Sequence, residues 1–212
     1  MFTQATLTDN IRNFFSKATD AEFVAGKNWY GEAHAIAANM AQNSRFTLAQ
    51  SAAIIAILSP RMSWSRNVEL AHYFVATESV TMPNGKQIHT KQQIAKLQAV
   101  ASGSDIETAI CRNYGKMGRG GVVIKAGLPS KTLNFYWNIL AGNSMHVTVD
   151  AHAAGAALNS FAGYDERGIL AVRHYELIAS AYKAVAMETG LQASQVQAVV
   201  WLVYRRILDS VR

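Results

Sequence analysis

Three residues beyond the middle of the chain have the types and spacing that chemistry needs: Lys131, Asp150 and His152. Lys131 stands in Gly127-Leu128-Pro129-Ser130-Lys131-Thr132-Leu133-Asn134, a turn that opens an amphipathic helix carrying Phe135, Tyr136, Ile139 and Leu140. The helix dipole disfavours a cation in a first turn by a few tenths to about 1 kcal/mol, so a lysine there asks for a reason. A neutral amine can attack carbon, whereas a protonated one clamps a phosphate. Backbone N–H groups pointing outward from the turn around Gly127, Ser130 and Thr132 suit the second role. Asp150 closes Val147-Thr148-Val149-Asp150 and precedes Ala151-His152-Ala153-Ala154-Gly155-Ala156-Ala157-Leu158, a helical run that an aspartate would cap. A fixed carboxylate can equally stabilise growing positive charge. His152 falls within the first turn after Asp150, where it can bond a phosphate, cap its own helix or simply pack.

These residues must be positioned by helices. Almost every apolar segment repeats at three and four residues and almost none alternates, which predicts nine or ten helices of about 8 to 17 residues. Thr47 with Gln50 forms a capping box before Ala52–Leu58, and Pro60 stops that helix. Ser104 with Glu107, and Ser194 with Gln197, read as two further boxes. Gly190 ends a long helix that starts near Val172. The one stretch with β character is Ser79–Ile88, where Asn84-Gly85 predicts a small hairpin or loop decorating the helical body.

Composition narrows the classes. The 212 residues carry 20 Lys plus Arg against 14 Asp plus Glu, a net charge of +6 that favours a polyanionic partner. Half the residues are apolar, which makes the chain a folded globule. The single cysteine, Cys111, excludes an internal disulfide, a cysteine-rich zinc site and a four-cysteine iron–sulfur cluster within one chain, and fits a reducing cytosol. Apolar runs such as Ala52–Leu58 are far shorter than the roughly 20 residues that cross a bilayer, and the Met1-Phe2-Thr3-Gln4 start lacks a signal-peptide pattern, so a cytoplasmic location without membrane contact is expected. No cofactor, no metal and no obligate protein partner is called for. The loop Gly115–Gly121, with Lys116 and Arg119, lacks the Gly-Lys-Ser/Thr ending of a nucleotide-binding loop and reads as a basic loop.

The run Gly-Leu-Pro-Ser-Lys-Thr-Leu-Asn at 127–134 followed by Val-Asp-Ala-His at 149–152 resembles the helix-hairpin-helix DNA glycosylases of the endonuclease III branch. Their hairpin has the form Leu-Pro-Gly-Val-Gly-x-Lys-Thr-Ala-Asn, with Val-Asp-Thr-His about eighteen residues on. The run Ile57-Leu58-Ser59-Pro60-Arg61-Met62-Ser63-Trp64 is similar to that branch's Leu-Leu-Ser-Ala-Gln-Ala-Thr-Asp, and puts Arg61 where the glutamine wedges into the duplex. The likeness spans about residues 47 to 160. Pro129 replaces a hairpin glycine and removes one N–H donor, and the cluster cysteines are absent. The stretches around Lys131, Val147–His152 and Gln197-Ala198-Val199-Val200-Trp201 look like small phage-encoded relatives of that fold, some of them implicated in building hypermodified thymine.

The resemblance implies an all-α, two-lobed helix-hairpin-helix glycosylase-like fold, with one lobe at 41–143 and the other at 1–40 plus 144–212. It implies a DNA partner, with an extruded base, apt to be a modified pyrimidine, held between the lobes. Asp150 would stabilise charge growing on the sugar, and Lys131 or a water would attack C1′. Trp29 and Tyr30 could stack on the base, though a packed pair is the commoner fate of such aromatics; of Phe135, Tyr136 and Trp137, consecutive on a helix, at least one should face a pocket or solvent. Trp201 and Tyr204 read as packing, and Arg205 and Arg206 as satisfying a helix C-terminus. Base excision is the leading function expected. Its rivals are a transferase that builds a hypermodified base on the same fold and a non-catalytic helix-hairpin-helix module that only binds DNA.

Overall fold

A computed structural model of the chain describes residues 3–111, 131–161 and 172–211. Among them every regular element is a helix, and the chain is all-α: α1 Gln4–Phe15, α2 Asp20–Gln42, α3 Leu48–Leu58, α4 Trp64–Thr77, α5 Lys91–Ala101, α6 Ile106–Cys111, α7 Lys131–Ala141, α8 Ala151–Leu158, α9 Val172–Thr189 and α10 Ala193–Ser210. The β character at Ser79–Ile88 reduces to a single antiparallel bridge between Thr81 and Gln87, closed by a turn in which Gly85 takes φ +78°.

The chain divides into two compact units, Met1–Glu32 with Ala141–Arg212, and Ala33–Leu140. The sequence-based boundaries stand at 41 and 143, and α2 runs unbroken from Asp20 to Gln42. In the first unit, α1, α8, α9 and α10 pack around Leu7, Ile11, Phe14, Val149, Tyr182 and Val200. Gly26 lets α2 lie directly on α10, since a Cβ there would stand 2.6 Å from the Val199 backbone.

In the second unit α3 is the central rod. Every residue from Ser51 to Leu58 is buried, and α4, α5 and α6 pack against it. The Thr47–Gln50 capping box forms as expected and α3 ends at Leu58, just ahead of Pro60. Burial extends to a charged group in this unit: Lys96 on α5 is buried and donates to the Ile110 carbonyl at 2.6 Å, and burial pushes its amine's pKa down.

Two helix starts differ from expectation, each for a visible reason. The box on α10 is Gln192 with Gln195, two residues earlier than Ser194 with Gln197. The Ser194 hydroxyl instead accepts from Ser144 N, and the Gln197 carbonyl oxygen from Tyr30. At α6 the cap is the Asp105 carboxylate, which accepts from Thr108 N at 2.8 Å. Glu107 is left to accept from the Trp137 indole at 2.9 Å.

Candidate functional site

The best-built polar site in the described residues centres on Asp150, in the first unit. Its backbone is extended (φ −98°, ψ −176°), so its side chain folds back over the first turn of α8 and Oδ1 accepts from Ala153 N at 2.7 Å. The other oxygen, Oδ2, accepts from the Trp201 indole N–H at 3.1 Å. His152 places Nδ1 3.7 Å from that same Oδ2. The Asp150 side chain keeps 18% of its surface exposed and that of His152 keeps 35%, so the pair remains reachable from solvent.

Tyrosines fix the strand-like approach to Asp150. Tyr175 on α9 donates to the Val147 carbonyl at 2.7 Å and accepts from Val149 N at 3.1 Å, which satisfies two backbone groups of a buried extended segment. Tyr30 on α2 bonds both Thr148 Oγ1 (3.1 Å) and Gln197 (2.9 Å). Tyr182 donates to the Ala153 carbonyl at 3.0 Å. Burial, and then the negative charge of Asp150, hold its phenol well above the usual range, so it stays a neutral donor.

The rim of this site is aromatic. His152 meets the rings of Trp201 and Tyr204 edge-on, with centroids at 5.7 and 5.9 Å. Tyr204 stacks on Phe161 and donates to the Ser160 carbonyl at 2.6 Å. Gly155 makes room for it, because a Cβ there would stand 2.4 Å from the Tyr204 hydroxyl oxygen. Arg205 lays its guanidinium 4.9 Å from the centre of the Trp201 ring. Its neighbour Arg206 pairs with Glu22 at 2.7 Å.

The residues predicted from the sequence fall in three groups. Asp150 and His152 come together, and Tyr30 joins them through Thr148. The Tyr30 ring is itself buried, at 2% exposure, so it supports the site as a strut. Trp29, half-buried, meets Tyr30 edge-on at 4.8 Å.

In the second unit, Lys131 is the first residue of α7 and is half-buried, and Thr132 and Tyr136 behind it are buried. Of the three consecutive aromatics, Phe135 and Tyr136 are buried and Trp137 is the half-buried one, bonded to Glu107. Arg61 is exposed in the turn between α3 and α4 with φ +62°, a left-handed conformation that a residue with a Cβ adopts only at a cost. Gly127, Ser130, Lys116 and Arg119 lie outside the described residues.

Trp201 is the residue that sequence reasoning passed over, since its spacing to Tyr204 read as packing. The available signal was its place in the last apolar helix, in Gln197-Ala198-Val199-Val200-Trp201.

Among the described residues no group of three or more His, Cys, Asp or Glu side chains could hold a metal ion, and no helix is long and apolar enough to cross a membrane. The model of a family described as "Family of unknown function (DUF7178)" matches residues 1–207. No curated protein and no solved structure matches the chain.

Proposed function

The chain belongs to the DUF7178 family, and from its own residues we propose that it is a DNA glycosylase of the helix-hairpin-helix kind, acting on a base flipped out of the duplex. One observation carries the reading. A helix cap needs only one carboxylate oxygen, and Ala153 N occupies Oδ1 of Asp150; the second oxygen is separately aimed by the Trp201 indole and faces His152. A carboxylate fixed through both oxygens and still solvent-accessible suits the stabilisation of a cation better than it suits capping alone.

In this reading the C1′–N bond breaks and its electron pair leaves with the base, which takes up a proton. Positive charge grows on the sugar ring, and Asp150 meets it with a charge already oriented, so little reorganisation is needed during reaction. Water then adds to C1′ and gives up a proton, or the Lys131 amine adds in its place and gives up a proton, after which the C1′–O4′ bond opens, the ring oxygen takes up a proton, and the resulting imine permits strand nicking. His152 and the half-buried Trp201 ring supply a polar and aromatic wall for the extruded nucleotide, and the buried Tyr204 ring backs His152 from within. Arg61 fills the gap left in the duplex, because a long planar cation can both stack and hydrogen-bond there. The net charge of +6 favours the phosphate backbone as the general anchor.

The test is mass spectrometry of nucleosides and free bases after incubation with unmodified and modified-pyrimidine DNA. Release of a free base supports the reading. A mass added to a nucleoside would replace excision by group transfer, and unchanged DNA that is nonetheless bound would leave a binding module. Borohydride trapping then separates the two attackers: a covalent adduct in the wild type that Lys131→Gln abolishes assigns the amine, and its absence from both assigns water.

A further inference from the structure

The Ser79–Ile88 segment, which reads in the sequence as a decoration, ends on a residue with a defined task. Tyr73 on α4 donates to the Thr81 carbonyl at 2.7 Å, and Ile88 N donates to the Val80 carbonyl at 2.8 Å. The Ile88 side chain is buried, which anchors the segment immediately before His89. His89 is half-buried and engaged on both ring nitrogens.

Thr90 N lies 2.8 Å from His89 Nδ1, and an amide N–H can only donate, so Nδ1 is the bare nitrogen. The ring proton then sits on Nε2, which donates to the Pro60 carbonyl at 3.1 Å. Burial lowers the pKa of His89, which favours this neutral form with one donor and one acceptor. Pro60 is the residue before Arg61, and Arg61 is held in the left-handed region at φ +62°. Such a conformation is unfavourable for a residue with a Cβ and persists only where its surroundings determine it. The peptide that enters it is gripped by His89, and Met62 N, on the far side, donates to the Ser59 carbonyl at 3.2 Å.

We propose that His89 is the positioning residue for Arg61: through the Pro60 carbonyl it locks the α3–α4 turn in the one conformation that projects the Arg61 side chain outward. The wedge role of Arg61 rests on the glycosylase reading above; the lock itself is a property of the second unit. The function of the strap at 79–88 is then to deliver this imidazole to the end of α3.

The experiment compares His89→Asn, His89→Gln and Arg61→Ala in the full chain. Asparagine keeps an acceptor near Thr90 N and does not reach Pro60, whereas the glutamine amide reaches with an N–H donor. Tryptic cleavage after Arg61 should rise on the order of tenfold in His89→Asn, as the turn opens, and return toward wild type in His89→Gln. Base release from paired DNA, relative to single-stranded DNA, should fall on the order of tenfold in both His89→Asn and Arg61→Ala, and recover in His89→Gln.

Unchanged tryptic cleavage in His89→Asn overturns the lock. A fall of the paired-to-single-stranded ratio in Arg61→Ala but not in His89→Asn overturns the positioning role and leaves the glycosylase reading standing. A wild-type protein that releases no base is the separate failure of that reading, and the cleavage assay still decides the lock.

Discussion

The surroundings of Asp150 and the surroundings of Arg61 solve the same problem, holding one polar group in place, by different means. Around Asp150 the work is done by side-chain hydrogen bonds: Trp201 on its carboxylate, Tyr175 and Tyr30 on the segment before it, and Tyr182 on the turn after it. Around Arg61 the work is done by an apolar rod. Helix α3 is buried along its whole second half, and a single imidazole fastens its end. A carboxylate needs donors at fixed positions, and here the local Ala153 amide and the distant Trp201 indole supply one to each oxygen without adding a competing charge. A projecting cation needs only a rigid base and one determined peptide.

Three substitutions would sharpen that contrast. The largest effect is expected in the apolar rod. Ile55 is fully buried on α3, so Ile55→Ala should cost about 2–5 kcal/mol in urea unfolding through lost burial and the cavity left behind. A cost under about 1 kcal/mol would show that α3 is not the structural centre of its unit.

Tyr175→Phe comes next. It keeps the ring and strands the Val147 carbonyl and the Val149 N–H in the interior, a penalty of about 1–3 kcal/mol. Chemistry should fall with stability, since Val149 adjoins Asp150. Full activity in a destabilised Tyr175→Phe would separate the strut from the site.

The smallest effect belongs to a rim pair. Arg206, first by its hydrogen bond, holds the Glu22 carboxyl below the usual range. Its folded pKa is thus below the unfolded one, so the pair stabilises the fold above about pH 4.3 and that contribution vanishes as pH falls through the folded value. Glu22→Gln should cost less than about 1 kcal/mol at pH 7 and progressively less as pH falls through the folded value, read from melting temperatures across pH. A difference that grows on acidification would reverse the sign and discard the pair.

What the sequence discloses tracks the range of the interaction. The Thr47–Gln50 box, the Gly190 stop and the Asp150 cap are settled within three or four residues, and all three appear as read. The Ser194–Gln197 and Ser104–Glu107 boxes fit the same local pattern and fail because distant partners claim their side chains: Ser144 and Tyr30 in one case, Trp137 in the other. A neighbouring residue then takes over the cap. Trp201 stayed hidden for the same reason. Its indole meets a carboxylate 51 residues earlier in the chain, and helical spacing alone makes it a packing residue. His89 carried no periodic signal at all, because its role depends on a backbone carbonyl 29 residues away.

In the proposed reaction Asp150 is a chemical group as well as a cap. Asparagine caps helices as well as aspartate does and can still accept from Ala153 N, but its amide N–H2 then faces the Trp201 indole donor, so Asp150→Asn removes the charge together with the Trp201 bond. The measurement is single-turnover base release by Asp150→Asn at saturating DNA, with the melting temperature taken alongside. A loss of about 10²–10³-fold is expected, with DNA affinity retained and the melting temperature lowered only by the lost Trp201 bond. Wild-type rates in Asp150→Asn would contradict it and leave Asp150 a helix cap.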